Sequence, residues 1–329
     1  MRILLISNQR PNEKGVGNPI MYRMLKALKH DDRIYYAEFF PFNNSLSAFF
    51  EIRNKAKRVD VIHIHFGGIY ALLIWCALVG VKCQKYITFH GTDIHAKSIK
   101  TAKGLKEKIK IKLNQYASFV SIRLFDRCGF VAEEMIEYVP VYLKEQLKGK
   151  AFLHKLGVDY DAFRLIDKQK AKNELGLGTN KYVLFSDVSN TCIKRRDIAE
   201  QIVKMLGNEY KLLVMCGVKP DVVPYYINAC NFLLLTSDEE GSPNIIRECL
   251  ALNKPIFSVD VGDVAKQLYG LENSKIISRN PEIAVREILN FLEKDYTDNT
   301  RETLKKCLDF GELNKDIVDM YQKVFNERK

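Results

Sequence analysis

The sequence predicts two doubly wound α/β domains, and three observations carry that expectation. Short apolar runs of strand length alternate with helical patterns along the chain. The 329 residues, 47% of them hydrophobic, suffice for two packed cores and exclude a disordered chain. The charge also breaks near residue 155: residues 1–155 hold 26 Lys and Arg against 13 Asp and Glu, or +13, whereas residues 156–329 hold 25 against 27, or −2. The predicted domains are therefore 1–155 and 156–329.

Taken in order, Met1 leads into RILLIS, a strand pattern far too short to span a membrane or to read as a targeting signal. The loop NQRPNEKGVGNP passes into a helix beginning near Ile20. Gly15 and Gly17 in this loop permit close backbone approach to a ligand, although a tight turn without a ligand explains them equally well. The G-x-G-x-x-G fingerprint is incomplete, so no nicotinamide cofactor is expected. DVIHIHF from Asp60 reads as a strand with His63 and His65 on one face. No carboxylate or cysteine stands beside them at ligand spacing, which favours core or rim histidines over a metal pair. The run from Ile69 to Val81 is apolar throughout and predicts a buried helix. In YITFHGTDIH a strand ends at Phe89, which puts His90, Gly91 and Asp93 in the loop at its carboxyl end, where open α/β sheets bind ligands. A metal trio of His90, Asp93 and His95 is the alternative reading. Segments from Ala117 and Met135 continue the alternation. Eight cysteines without a C-x2-C pair signal neither a zinc site nor a disulfide framework, and predict a reducing, cytoplasmic setting.

Much of the basic excess lies in KSIKTAKGLKEKIKIKLNQ from Lys97, with seven lysines and one glutamate. Aromatic residues do not interleave with the lysines as a stacking platform for nucleic acid requires. An anionic membrane surface or acceptor and a plain solvated helix face are the two readings left.

The second half opens with a charged helix, KQKAKNELGL, and a strand, YVLFS, whose loop leads into KRRD at the start of a helix. Lys194 and Arg195 can face an anion there, since a basic first turn is unfavourable to its own helix dipole. A further strand ends at Gly217, with Val218 following. NFLLLT then reaches TSDEEGSPNIIRECLALNKPIFSVDVGDV, from Thr236 to Val264. Ser242 is expected as N-cap and Pro243 as first helical residue. With Gly241 as the turn and free amides at Ser242, Asn244 and Ile245, this loop suits a diphosphate. Glu240 before the helix and Glu248 within it suit sugar hydroxyls better than phosphate. PEIAVREILNFLEKD and GELNKDIVDMYQKVF complete the chain as amphipathic helices.

Glu240 and Glu248 with GSPNIIR between them, followed by LALNKPIFSVDVGDV, resemble the donor-site signature of the retaining glycosyltransferases of family 4, nearest to bacterial polysaccharide members with EGSPN and VGDV. The resemblance covers most of residues 60–325 and is weakest from Arg33 to Arg58. It implies the GT-B fold, two Rossmann-like domains facing across a cleft, and transfer of a sugar from a UDP- or GDP-sugar to a glycan or lipid-linked glycan hydroxyl with retention of configuration. HGTD at 90–93 matches the family's HGxD segment, in which the histidine contacts the donor sugar. The Gly17 loop would underlie the donor phosphate, and Val218 would lie over the base. Catalytic roles fall on Glu240, His90 and Lys194; donor binding falls on Gly17, Asp93, Arg195, Val218, Gly241, Ser242, Asn244 and Glu248. HKLGVDYDAF at 154–163 looks like the family hinge, with His154 where asparagine is usual. Ser189 stands where many members have arginine, so the diphosphate charge falls to Lys194 and Arg195. No metal or other cofactor is expected. The last helix resembles one that crosses back to the first domain. A nucleotide-sugar epimerase and a non-catalytic subunit are the rival readings. The expected location is cytoplasmic, with the basic half drawn to the inner face of the membrane.

Overall fold

A computed structural model describes residues 1–8, 19–95, 99, 102, 104–187, 192–294 and 300–326. The chain divides into two compact units, Met1–Leu156 with Phe310–Lys329, and Gly157–Asp309. No helix among the described residues is long and apolar enough to cross a membrane.

The first unit runs β1 (Arg2–Ser7), α1 (Pro19–Lys29), β2 (Tyr36–Pro41), α2 (Leu46–Ala56), β3 (Val61–His65), α3 (Ile69–Ala77), β4 (Gln84–Phe89), α4 (Thr92–His95), α5 (Leu105–Leu124), β5 (Arg127–Phe130), α6 (Val141–Leu147) and β6 (Ala151–Leu153). Its six strands are parallel in the order β2-β1-β3-β4-β5-β6. β1 and β3 are buried at nearly every position, which is why they read as continuous apolar runs rather than alternating ones.

The second unit runs β7 (Lys181–Ser186) after α7 (Lys168–Glu174), then α8 (Arg196–Leu206), β8 (Tyr210–Met215), α9 (Val223–Ala229), β9 (Phe232–Leu235), α10 (Asn244–Leu250), β10 (Ile256–Ser258), α11 (Val264–Gln267), β11 (Ser274–Ile276), α12 (Pro281–Leu292) and α13 (Thr300–Leu308). Its five strands are parallel in the order β11-β10-β9-β7-β8. The last helix, α14 (Phe310–Asn326), belongs to the first unit, where Ile317, Val318 and Tyr321 join Ile3, Leu5, Met24 and Tyr86 in one buried cluster.

Both sheets reverse direction once, between β1 and β3 and between β7 and β9. Such a switch point opens a crevice at the carboxyl ends of the flanking strands. His65 ends β3 in the first unit, and the segments that follow β7 and β9 carry Lys194 and Glu240 in the second.

One element differs from the sequence expectation, and two were left open by it. The helix predicted over 69–81 stops at Ala77, and only Tyr70, Ala71, Ile74 and Ala77 along it are buried; Ile69 and Leu73 face outward. The segment from Ala117 forms the end of the 20-residue α5, and the strand is the short RCGF of β5. Helix α13 has a polar sequence, TRETLKKCL, and gave no apolar signal.

Candidate functional site

In the second unit the site grows from the end of β9. Thr236 Oγ1 lies 3.0 Å from the carbonyl oxygens of both Lys194 and Arg195, and Asp238 N donates to Ile193 O at 2.8 Å. The 192–195 turn is thus fastened to the loop after β9. That clamp holds Arg195 at φ +52°, a left-handed conformation that costs a non-glycine residue about 1–3 kcal/mol and persists only where neighbours fix it. The same clamp brings Lys194 Nζ to Glu240 Oε1 at 2.6 Å, and Ser237 Oγ donates to that oxygen at 2.7 Å. Two residues assigned separately to phosphate and sugar are therefore partners here.

Arg195 is differently engaged. Its guanidinium pairs with Asp197 at 2.9 Å and with Asp238 at 3.5 Å, and Arg279 shares Asp238 at 3.1 Å. These pairs are largely exposed and each contributes about 0–1 kcal/mol, too little to hold the side chain against a doubly charged ligand.

The Glu240–Gly241 backbone is supported from below by the VGDV loop. Asp263 N donates to Gly241 O at 3.1 Å. Gly262 has φ +58°, and a Cβ there would press on the Gly241 carbonyl oxygen and lie 3.0 Å from that of Glu240. Ser242 is not the N-cap. Pro243 caps α10, which starts at Asn244 and makes no side-chain capping bond. The Ser242 hydroxyl instead donates to Asp263 Oδ2 at 2.7 Å and accepts from Arg247 Nη1 at 2.6 Å, while Arg247 Nη2 donates to Asn244 Oδ1 at 2.6 Å. At seven residues α10 has a weak dipole, so the anion-binding capacity of this loop rests on Lys194 more than on the helix end. Glu248 is buried on α10, and Val218 follows Gly217 after β8, half-exposed.

Thr236, Ser237, Arg247, Gly262 and Asp263 were not picked out as site residues. Only the last two had a signal, the VGDV motif itself.

In the first unit, Gly15 and Gly17 lie outside the described residues, as do Ser189, Lys97, Lys100 and Lys103. Asp93 is not a loop residue open to a ligand: it sits in the one-turn α4, buried, and accepts from Gly67 N at 2.7 Å, Gly91 N at 2.9 Å and His90 N at 3.0 Å. Burial raises its pKa, against the opposing pull of those amides. Its carboxylate shapes the HGTD turn. The His90 ring stacks on Phe66 at 4.1 Å and its Nε2 meets His65 Nδ1 at 3.1 Å.

His63 and His65 are fully buried and stacked at 4.4 Å, and His154 lies 5.4 and 5.3 Å from them. The trio weighed from sequence, His90 with Asp93 and His95, does not assemble, because Asp93 is engaged by backbone amides. His63, His65 and His154 do converge. Thr88 Oγ1 links His63 Nε2 at 2.8 Å to His154 Nδ1 at 2.9 Å, and Tyr321 reaches His63 Nδ1 from α14. Gly129 leaves room for this, since a Cβ there would collide with Thr88 Oγ1 and the Phe152 ring. Burial first, and neighbouring imidazoles second, hold His63 and His65 well below the usual histidine range and push His90 down to about 3; burial alone takes His154 to about 4.

No family model matches the chain. One Bacillus subtilis (strain 168) protein, named as the teichuronic acid biosynthesis glycosyltransferase TuaC, is 30% identical over 105 residues, which is 30% of this chain and 27% of that protein. The chain thus matches little more than a quarter of that relative's length. Solved structures align across nearly the whole chain at low identity. Anabaena HepE in complex with UDP and glucose has a TM-score of 0.73 at 14% identity, covering 98% of this chain and 99% of that one. Sucrose-phosphate synthase from Thermosynechococcus elongatus gives 0.68 at 12%, covering 99% and 100%. The UDP-GlcNAc 2-epimerase of Neisseria meningitidis bound to UDP-GlcNAc gives 0.58 at 13%, covering 98% and 100%. The chain is accordingly built from two parallel-sheet, Rossmann-like α/β domains of the kind seen in GT-B glycosyltransferase structures.

Proposed function

We propose that this protein is a retaining glycosyltransferase of the family 4 type, moving a sugar from a UDP- or GDP-sugar to a hydroxyl of a glycan or lipid-linked glycan in cell-surface polysaccharide synthesis. The observation that carries the reading is the meeting of Lys194 and Glu240 at 2.6 Å, 46 residues apart in sequence, at the switch point of the second sheet. Without donor the two charges offset each other. An incoming diphosphate draws Lys194 away and recruits Arg195 from its weak exposed pairs, which frees Glu240 to accept hydrogen bonds from the donor sugar. Cations placed where negative charge develops on the leaving group stabilise the transition state, an effect worth several kcal/mol. Glu248 binds the ribose hydroxyls, Val218 the base, and Gly241 and Asn244 the diphosphate; Gly17 and His90 act on the donor as the resemblance implies. In this reading donor binding needs no metal ion. The likeness to TuaC, and the fold shared with a protein seen with UDP and glucose, support it.

Helix α5 supports attraction of the first unit to an anionic membrane that carries the acceptor. Leu105, Ile109 and Leu113 recur every fourth residue and, with Tyr116, lie exposed beside the equally exposed Lys106, Lys108, Lys110 and Lys112. An apolar stripe edged by lysines suits a headgroup boundary.

A panel of nucleotide sugars screened by thermal shift tests the donor class, because a ligand at a hundred times its Kd adds about 2.7 kcal/mol of stability. NMR of the product then reads the anomeric configuration. If no nucleotide sugar raises Tm the reading fails. Conversion of the donor alone into its epimer would favour an epimerase instead.

A further inference from the structure

Four of the six histidines of the chain gather in the first unit, and the proposed transfer reaction uses only His90. We propose that His63, His65 and His154 bind one borderline divalent transition-metal ion, of which zinc is the type, at a three-histidine site buried beneath the carboxyl end of β3.

Each of the three offers a ring nitrogen, and these nitrogens lie within 4.8 Å of one another. Zinc–nitrogen bonds of about 2.0–2.1 Å set tetrahedral ligands roughly 3.3 Å apart, so modest ring rotations complete the site. The ring centroids, 4.4, 5.3 and 5.4 Å apart, already form a compact triangle.

Outer partners point the same way. A metal-bound imidazole uses its other nitrogen to hold a neighbouring polar group, which fixes its tautomer. His65 Nδ1 is held by His90, and its Nε2 is fully buried with no partner. His154 Nδ1 is held by Thr88, which leaves Nε2 for the ion. His63 Nδ1 is held by the Tyr321 hydroxyl, and its Nε2 shares Thr88 with His154. A single metal ion satisfies the orphaned nitrogen of His65, takes His154 through Nε2, and takes His63 through Nε2 in exchange for its bond to Thr88, Nδ1 staying on Tyr321. Three neutral nitrogen donors without a carboxylate select zinc, cobalt, nickel or copper over magnesium or calcium. The ion would tie β3 to the segment after β6 and, through Tyr321, to α14.

Every ligand lies in the first unit, and the readout is metal uptake, so this inference and the glycosyl-transfer reading fail separately. Full-length protein is stripped with a chelator, dialysed and titrated with Co2+ and Zn2+. One equivalent of Co2+ should give visible absorption bands of nitrogen coordination, and one equivalent of Zn2+ should displace it and raise Tm. His65→Gln should abolish the bands, and Tyr321→Phe should weaken uptake by about tenfold, the usual effect of losing an outer partner. A His30→Ala/His95→Ala double variant, altered at the two histidines outside the cluster, should keep full uptake. The proposal is overturned if the unmodified protein takes up no stoichiometric Co2+ or Zn2+, if the His30/His95 variant loses uptake, or if folded His65→Gln retains the bands. Should His65→Gln not fold, the unmodified protein and the His30/His95 variant decide the matter.

Discussion

Gly262→Ala is the substitution most informative about how the Glu240–Gly241 loop is held. Gly262 has φ +58°, and its missing side chain makes room for the Glu240–Gly241 backbone. An alanine must adopt a left-handed conformation, at roughly 1–2 kcal/mol, and must push a backbone carbonyl aside, which as overpacking costs about 1–3 kcal/mol. The expected loss is about 2–5 kcal/mol, a large share of the stability of an ordinary domain. Gly270 provides the control. It has φ +77° in the same unit, with nothing within 4 Å of its would-be Cβ, so Gly270→Ala meets the conformational cost alone. Urea denaturation followed by far-UV circular dichroism compares the two variants. The difference between them isolates the contact with Gly241, and nucleotide-sugar turnover should fall about 100-fold in Gly262→Ala because Glu240 moves with the loop. Equal losses in the two variants would refute the reasoning, since the carbonyl contact would then contribute nothing.

Glu240→Gln should lower turnover far more than free UDP or GDP affinity, whereas Glu248→Ala should weaken the nucleotide by roughly 1–3 kcal/mol, the penalty for removing a charged hydrogen-bond partner from a buried site; calorimetry giving equal affinity losses would contradict the assignment. Chelator treatment should leave nucleotide affinity unchanged even if it strips an ion from the histidine cluster, and restoration of a lost affinity by magnesium would overturn the view that Lys194 and the loop offset the diphosphate. In chelator-treated protein, His90 at about 3 and His154 at about 4 stay neutral while the unfolded chain protonates below about pH 6.5. The sign is thus a loss on acidification, about 1 kcal/mol per histidine between pH 6.5 and 5.5, and urea midpoints that did not fall would show these imidazoles charged in the folded state. Neutralising Lys106, Lys108 and Lys110 together should reduce sedimentation with anionic vesicles, at roughly 1 kcal/mol per lysine, without changing nucleotide affinity, and an unmodified protein that ignores such vesicles at low salt would leave α5 a solvated face.

The strands were legible because parallel strands buried on both faces must be apolar at every position, and runs such as ILLI and FLLL leave little choice. The second unit's candidate site could be singled out for a related reason: Glu240, Gly241 and Ser242 are contiguous, and their motif sits between two such runs. What the sequence concealed was partnership. Nothing in the spacing of Lys194 and Glu240 says that they touch, since the contact depends on β7 and β9 being sheet neighbours and on Thr236 fastening the intervening turn. Ser242 looked like a cap because serine usually is one, yet Arg247 and Asp263 compete for its hydroxyl and the helix begins two residues later. His154 was invisible as a partner of His63 because it lies beyond β6 and reaches Thr88 only past Gly129, a position whose meaning is an absence of side chain.

The two units consequently handle buried polarity in opposite ways. In the second unit the charged groups are paired: Lys194 and Glu240 are partly buried and Arg195 and Asp238 largely exposed, and on the proposed reading each pair is exchanged for a ligand, the diphosphate taking Lys194 and Arg195 as the sugar hydroxyls take Glu240. In the first unit the imidazoles are fully buried, linked through Thr88 and Tyr321, and one ring nitrogen is without a partner. Rearranging that network would expose several unsatisfied groups at once, each costing about 1–3 kcal/mol. An exchangeable set of partners belongs where a charged substrate must enter and leave, and a locked set belongs where the frame must hold still. The same contrast explains why removal of a metal ion from the histidine cluster is expected to register in melting temperature and not in nucleotide affinity.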